Sequence, residues 1–121
     1  MNDLKKDTLW EVSKKVYKEL DVLLSYFPKI VKKQEKEMLL VSAKQIPVYI
    51  LKGRTMPENT EGKKYLLNAS LASQTLTTML TQVFNTERNN VFYLKVLQRI
   101  ADIKKQLVVE IQKYNRTESN D

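Results

Sequence analysis

Residues 38–53 read MLLVSAKQIPVYILKG, and whether this stretch is strand or helix decides the fold. On propensity alone, Ile46 to Leu51 passes for a buried strand, because Ile, Val and Tyr suit a pleated, half-buried surface. No other segment offers a strand to pair with it, and a lone strand leaves its backbone groups unpaired. The stretch is therefore read as the apolar back half of a helix over residues 29–52, kinked at Pro47. Its front half carries Lys32, Lys33, Glu35, Lys36 and Glu37, and Gly53 is placed to cap its end.

Three further segments carry helical periodicity. In residues 5–26, Leu9, Val12, Val16, Leu20 and Leu23 recur at three- and four-residue steps. Pro28 stops this helix, since proline disfavours helical geometry in the residue before it. After a loop holding Pro57 and Asn59, Thr60 is an N-cap candidate for a helix over residues 61–84. Its stripe is Tyr65, Ala69, Ala72, Leu76, Met79 and Val83. The polar loop 85–90 leads to a fourth helix, residues 91–114. There Tyr93, Val96, Ile100, Ile103, Leu107, Ile111 and Tyr114 form the apolar stripe. Residues 115–121 read as a frayed polar tail. Four amphipathic helices with short connections imply one all-α domain, an up-down-up-down antiparallel four-helix bundle.

Composition narrows the chemistry. The 121 residues contain no cysteine and no histidine. That excludes disulfides, thiol chemistry, haem and most zinc sites, along with the usual general base at neutral pH. Two glycines and three prolines are too few for an all-β chain full of tight turns. No carboxylate pair lies inside an apolar stretch, and no phosphate-binding loop, dinucleotide fingerprint or di-iron motif occurs. Asp102 and Glu110 read as surface charges. The expectation is a protein without catalytic, cofactor or metal residues. Residues 65–86 are free of charge and long enough to span a bilayer, but they are rich in Ser, Thr, Asn and Gln, so no membrane span is expected. Residues 1–6 are polar and lead into no apolar signal segment. A cytoplasmic location fits, and the sequons at Asn68 and Asn115 then read as chance matches.

The charge is uneven. Net charge is +7, with 21 basic and 14 acidic residues. Residues 29–64 hold nine basic and four acidic groups, whereas residues 1–28 balance. Lys29, Lys33 and Lys36 are spaced to share a helix face, with Lys32 beside them and Lys44, Lys52 and Arg54 extending the same side. Lys95 and Arg99 share a face of the fourth helix. Such patches attract phosphate backbones with a strong salt dependence, and a solvated lysine-rich surface has the same pattern. The polar positions of the third helix are Asn68, Ser70, Ser73, Gln74, Thr77, Thr78 and Thr81, none of them charged. Charge depletion with hydrogen-bonding groups retained suits a subunit interface, although it also describes a plain neutral surface. Six tyrosines and one tryptophan are of the kind that stack on bases. Tyr65, Tyr93 and Tyr114, however, lie in apolar seams with hydroxyls expected at the rim.

Four stretches carry a family likeness: YFPKIVKKQEKEML at residues 26–39, IPVYILKG at 46–53, YLLNASLA at 65–72 and IQKYNR at 111–116. Together they resemble the bacterial four-helix-bundle family that has two branches. One is the accessory variability determinant (Avd) of diversity-generating retroelements. The other is the small protein encoded in intervening sequences of large-subunit ribosomal RNA genes, whose role is unclear. YLLNASLA is similar to the Avd pattern; Ile46-Pro47 and Gly53 look more like the other branch. Lys29 and Lys32 fall where Avd-like proteins are basic. The resemblance implies a homopentameric, positively charged ring without enzymatic activity. It would bind a reverse transcriptase and its RNA during mutagenic retrohoming.

Overall fold

The computed structural model describes residues 2–56 and 60–119, with side chains described for residues 9–56 and 60–114. Four helices pack against one another: α1 (Asn2–Ser25), α2 (Lys33–Arg54), α3 (Thr60–Val83) and α4 (Val91–Ser119). No strand occurs among the described residues. Packing runs α1 to α2, α2 to α3, α3 to α4 and α4 back to α1, so the chain travels round a square. Lys36 of α2 reaches Asp21 of α1, and Gln74 of α3 accepts from Lys104 of α4. A late residue of α1 thus meets an early residue of α2, as antiparallel neighbours require, and Glu19 of α1 meets Arg99 of α4 in the same sense. The fold is the all-α, up-down-up-down bundle expected from the sequence.

The decisive stretch is helical throughout. α2 continues through Pro47, although proline supplies no amide to the Ala43 carbonyl and costs a helix interior about 3 kcal/mol. Tertiary burial offsets that cost. Ala43, Ile46 and Ile50 are fully buried, and burial of one large aliphatic side chain contributes about 1.5–3 kcal/mol. The expected stripes of α1 and α4 also face inward. Leu9, Val16, Leu20 and Leu23 of α1 are buried, as are Tyr93, Val96, Ile100, Ile103, Leu107 and Ile111 of α4. At the end of the bundle holding the α1–α2 turn, Phe84 is fully buried. It meets Phe27 edge-on at 5.2 Å and stacks on Tyr93 at 4.8 Å.

Several boundaries differ from the sequence reading. α2 begins at Lys33, not residue 29, because the chain turns first. The Phe27 carbonyl accepts from the amides of Ile30 and Val31, and Val31 is buried under the turn. Lys32 then stands in extended geometry, and its amide donates to Glu35 Oε1 at 3.0 Å, starting the helix. α4 continues past Tyr114, where the sequence reading ended it, to Ser119. Thr60 is the first helical residue of α3 rather than the residue before it. Pro57 and Asn59 lie outside the described residues. Of the expected α3 stripe, Ala69, Ala72 and Leu76 are buried, but Tyr65, Met79 and Val83 are only half-buried, and Leu66, Ser73 and Leu80 are inside as well.

Gly53 is not a C-terminal cap. It sits inside α2, buried, and no described glycine has a positive φ. A β-carbon there would lie 2.8 Å from Leu66 Cδ2 and 3.0 Å from the Gly62 carbonyl oxygen. A β-carbon on Gly62 would lie 2.0 Å from the Met56 carbonyl oxygen and 2.9 Å from that of Gly53. The chain's only two glycines therefore let α2 and α3 touch backbone to backbone. Gly62→Ala collides with backbone that has nowhere to go and is expected to cost about 2–3 kcal/mol or more. Gly53→Ala meets chiefly a leucine side chain and gains about 0.5–1 kcal/mol of helix propensity, so its loss should be smaller. Thermal denaturation of the two variants measures the difference; equal Tm values for both and for the parent would contradict the contact.

Candidate nucleic-acid interface and subunit face

The basic residues singled out in the sequence do not form one patch. Lys29, Lys32 and Lys33 are exposed around the α1–α2 turn, Lys29 in the turn itself rather than on a helix face. Lys36 lies beside them but is engaged: its Nζ is 3.8 Å from Asp21 Oδ1 and 3.4 Å from Ser25 Oγ. Lys44 is exposed midway along α2. Lys52 lies near the opposite end, its Nζ 5.6 Å from the centre of the Tyr65 ring. At about 1.5 Å per residue, Lys33 and Lys52 are roughly 28 Å apart. Lys95, near the start of α4, returns to the turn end, where it is exposed.

Two of the candidates point inward. Arg54 Nη2 donates to Glu110 Oε1 at 2.8 Å, with both side chains largely shielded. Arg99 Nε lies 2.8 Å from Glu19 Oε2, joining α4 to α1. Both guanidinium groups act as ties between helices, and Glu110 is not the surface charge it looked to be. Tyr114 completes the same corner: its hydroxyl lies 3.2 Å from the Gly53 carbonyl oxygen and 3.4 Å from that of Met56.

Sequence reasoning missed Lys18, Tyr26 and Phe92, which line a groove with Lys95 at the turn end. A signal was present, because Phe92 and Tyr26 are aromatic residues off the apolar stripes. What the sequence lacked was the pairing of α1 with α4 that brings them together.

The outer face of α3 carries no charge from Leu67 to Gln82. Asn68, Gln74, Thr78 and Thr81 are exposed on it, and Ser70 and Thr77 are half-buried at its flank. Ser73 is a correction: it is 0% exposed, faces the core and donates to the Ala69 carbonyl at 2.9 Å. Its period places it with Ala69 and Leu76, and its small size lets the neighbouring helices close over it. The threonine hydroxyls donate to their own helix, Thr77 to Ser73, Thr78 to Gln74 and Thr81 to Thr78. Leu67 and Leu71 lie among these residues, Leu71 being 65% exposed, and Met38, Val41 and Val48 are exposed on neighbouring α2. The face is therefore more apolar than its Ser/Thr composition suggests.

Among the described residues no three acidic, histidine or cysteine side chains are grouped to hold a metal ion, and no helix is long and apolar enough to cross a membrane. Comparison with protein-family models, curated proteins and solved structures gives no match.

Burial raises the pKa of Tyr93 above the ordinary 10.0, and burial followed by the Glu110 carboxylate raises that of Tyr114. Below about pH 10 both tyrosines are protonated in folded and unfolded chains, so their contribution is constant. Above it the unfolded chain loses these protons first, and stability falls as pH rises. The Tm decrease between about pH 9 and about pH 11 should shrink in a Tyr93→Phe/Tyr114→Phe variant. An unchanged decrease in that variant would remove the tyrosines as its cause.

Proposed function

We propose that this chain is a non-enzymatic, oligomeric assembly protein that holds RNA by charge and presents it to a partner enzyme. In the setting implied by the resemblance to Avd, that enzyme is a reverse transcriptase and the assembly a homopentamer acting in diversity-generating retrohoming. The supporting observation is the separation of two surfaces. Lys29, Lys32 and Lys33 are exposed at one end of the bundle, and no carboxylate lies within 4 Å of their ammonium groups among the described residues. The α3 face, by contrast, has no charged residue of its own and carries the exposed Leu67 and Leu71. A lysine-rich end suits sequence-independent contact with phosphate, since each ammonium acts as a point charge without the bidentate fork that reads bases. A neutral face with satisfied hydroxyls and exposed aliphatic groups suits contact with another copy of the chain.

Two measurements test the two halves. Light scattering after gel filtration in high salt should give about five times the 14.2 kDa chain mass, and Leu71→Asp should reduce it toward the single-chain mass because burying a carboxylate without a partner is costly. A monomeric parent removes the ring. Filter binding to structured RNA across a salt series should show affinity falling steeply with salt. Replacing Lys29, Lys32 and Lys33 by Ala should lower the slope of log K against log salt by about 2–3. Absence of binding at low salt, or a flat response, removes the RNA-holding role.

A further inference from the structure

A groove of about 430 Å³ runs between α1 and α4 at the turn end of the bundle. Leu23 and Val96, both buried, form its floor. Lys18, Val22 and Tyr26 recur at four-residue steps, so they line it from one side, while Phe92 and Lys95 line it from α4. Tyr26 is 74% exposed and Phe92 68% exposed, a large aromatic surface in water that the core does not use. Among the described residues lining the groove Glu19 is the only carboxylate, and it lies 2.8 Å from Arg99 Nε. The charge of Lys18 and Lys95 is therefore left uncompensated within the lining.

We infer that this groove is a stacking site for an unpaired base of single-stranded nucleic acid, with Tyr26 and Phe92 as the platforms and Lys18 and Lys95 as contacts for the flanking phosphates. The inference rests on the proposed RNA-holding role and narrows it to strands with unstacked bases. Three features favour this occupant over a protein segment. The volume is at the small-ligand end of the pocket range. The exposed apolar surface is mainly aromatic, Tyr26 and Phe92 with Val22 between them, rather than the aliphatic lining that anchors an amphipathic helix. The uncompensated charge is cationic and sits beside the rings, the combination that single-strand-binding surfaces use.

The test compares a labelled oligouridylate with a blunt RNA duplex of equal phosphate number by fluorescence anisotropy. Phe92→Ala and Tyr26→Ala should each weaken oligouridylate binding by about tenfold, within the range for loss of one stacking partner. Duplex affinity should stay within about twofold, since the phosphate contacts that dominate it are retained. Phe92→Trp should preserve oligouridylate affinity, and the tryptophan emission it adds to the parent signal should be quenched on binding. These side chains are exposed, so all variants should match the parent in thermal melting. Equal losses on both probes, or no loss on oligouridylate, overturn the stacking site. So does Phe92-dependent capture of an acidic amphipathic peptide with no Phe92 effect on oligouridylate. If the parent binds neither probe at low salt, the RNA-holding role itself falls. If it binds both and the aromatic variants change nothing, only the groove assignment falls.

Discussion

Where Gly53 of α2 meets Gly62 of α3, an added β-carbon on Gly62 would sit 2.9 Å from the Gly53 carbonyl oxygen and 2.0 Å from that of Met56 just beyond α2, so the backbones touch with no side chain between them. Much of the molecule follows from that approach. It draws the C-terminal turn of α2 under α4, where the Tyr114 hydroxyl reaches the Gly53 and Met56 carbonyls and Arg54 meets Glu110. Tyr49 and Tyr65 stack at 6.5 Å one turn away from it. It also aligns α2 and α3 along their length, making theirs the most extensive helix pairing in the bundle. With α2 held this way, Ile46 and Ile50 are buried and Pro47 is tolerated inside a helix.

The helix stripes of α1 and α4 were legible because each has one apolar face and charged residues elsewhere, so a period of 3.6 has a single solution. α3 was less legible for a physical reason. Tyr65, Leu66 and Leu67 are consecutive and all apolar, and no charge marks the solvent side before residue 87. Periodicity alone could not choose among them, and packing against α2 and α4 placed Leu66 inside and left Leu67 and Leu71 outside. Gly53 shows a different limit. A glycine after an apolar run is a local sign of a helix end, whereas its use here depends on Gly62, nine residues later in the next helix. The turn at residues 29–32 was hidden in the same way, since Ile30 and Val31 fit a helix until the core end they cover is known.

The candidate site divides along similar lines. Lys29, Lys32 and Lys33 were legible as exposed charge because nothing distant was needed to keep them on the surface. Arg54 and Arg99 were not, because their partners lie 56 and 80 positions away in sequence. Ser73 looked like an outer residue because it is polar, whereas it lies beside the buried Ala69, Ala72 and Leu76 with its hydroxyl donating to its own helix. The groove lined by Tyr26 and Phe92 required the α1–α4 pairing, which closes the bundle and has no signature within either helix.

The division of labour between arginine and lysine then has a physical basis. A guanidinium is weakly hydrated and offers planar donors, so it enters a shielded ion pair at less cost than an ammonium. Arg54 and Arg99 take that role, each joining α4 to a helix beside or across from it. Lysine is strongly hydrated and flexible, and it remains at the turn end and along the groove. In the proposed role, a surface built in this way would hold phosphate without reading sequence, because point charges on long stems follow the backbone of any strand. Discrimination between strands must then come from groups that respond to an exposed base rather than to its identity. On the described surface the exposed rings of Tyr26 and Phe92 are placed for that task, beside the two lysines that line the same groove.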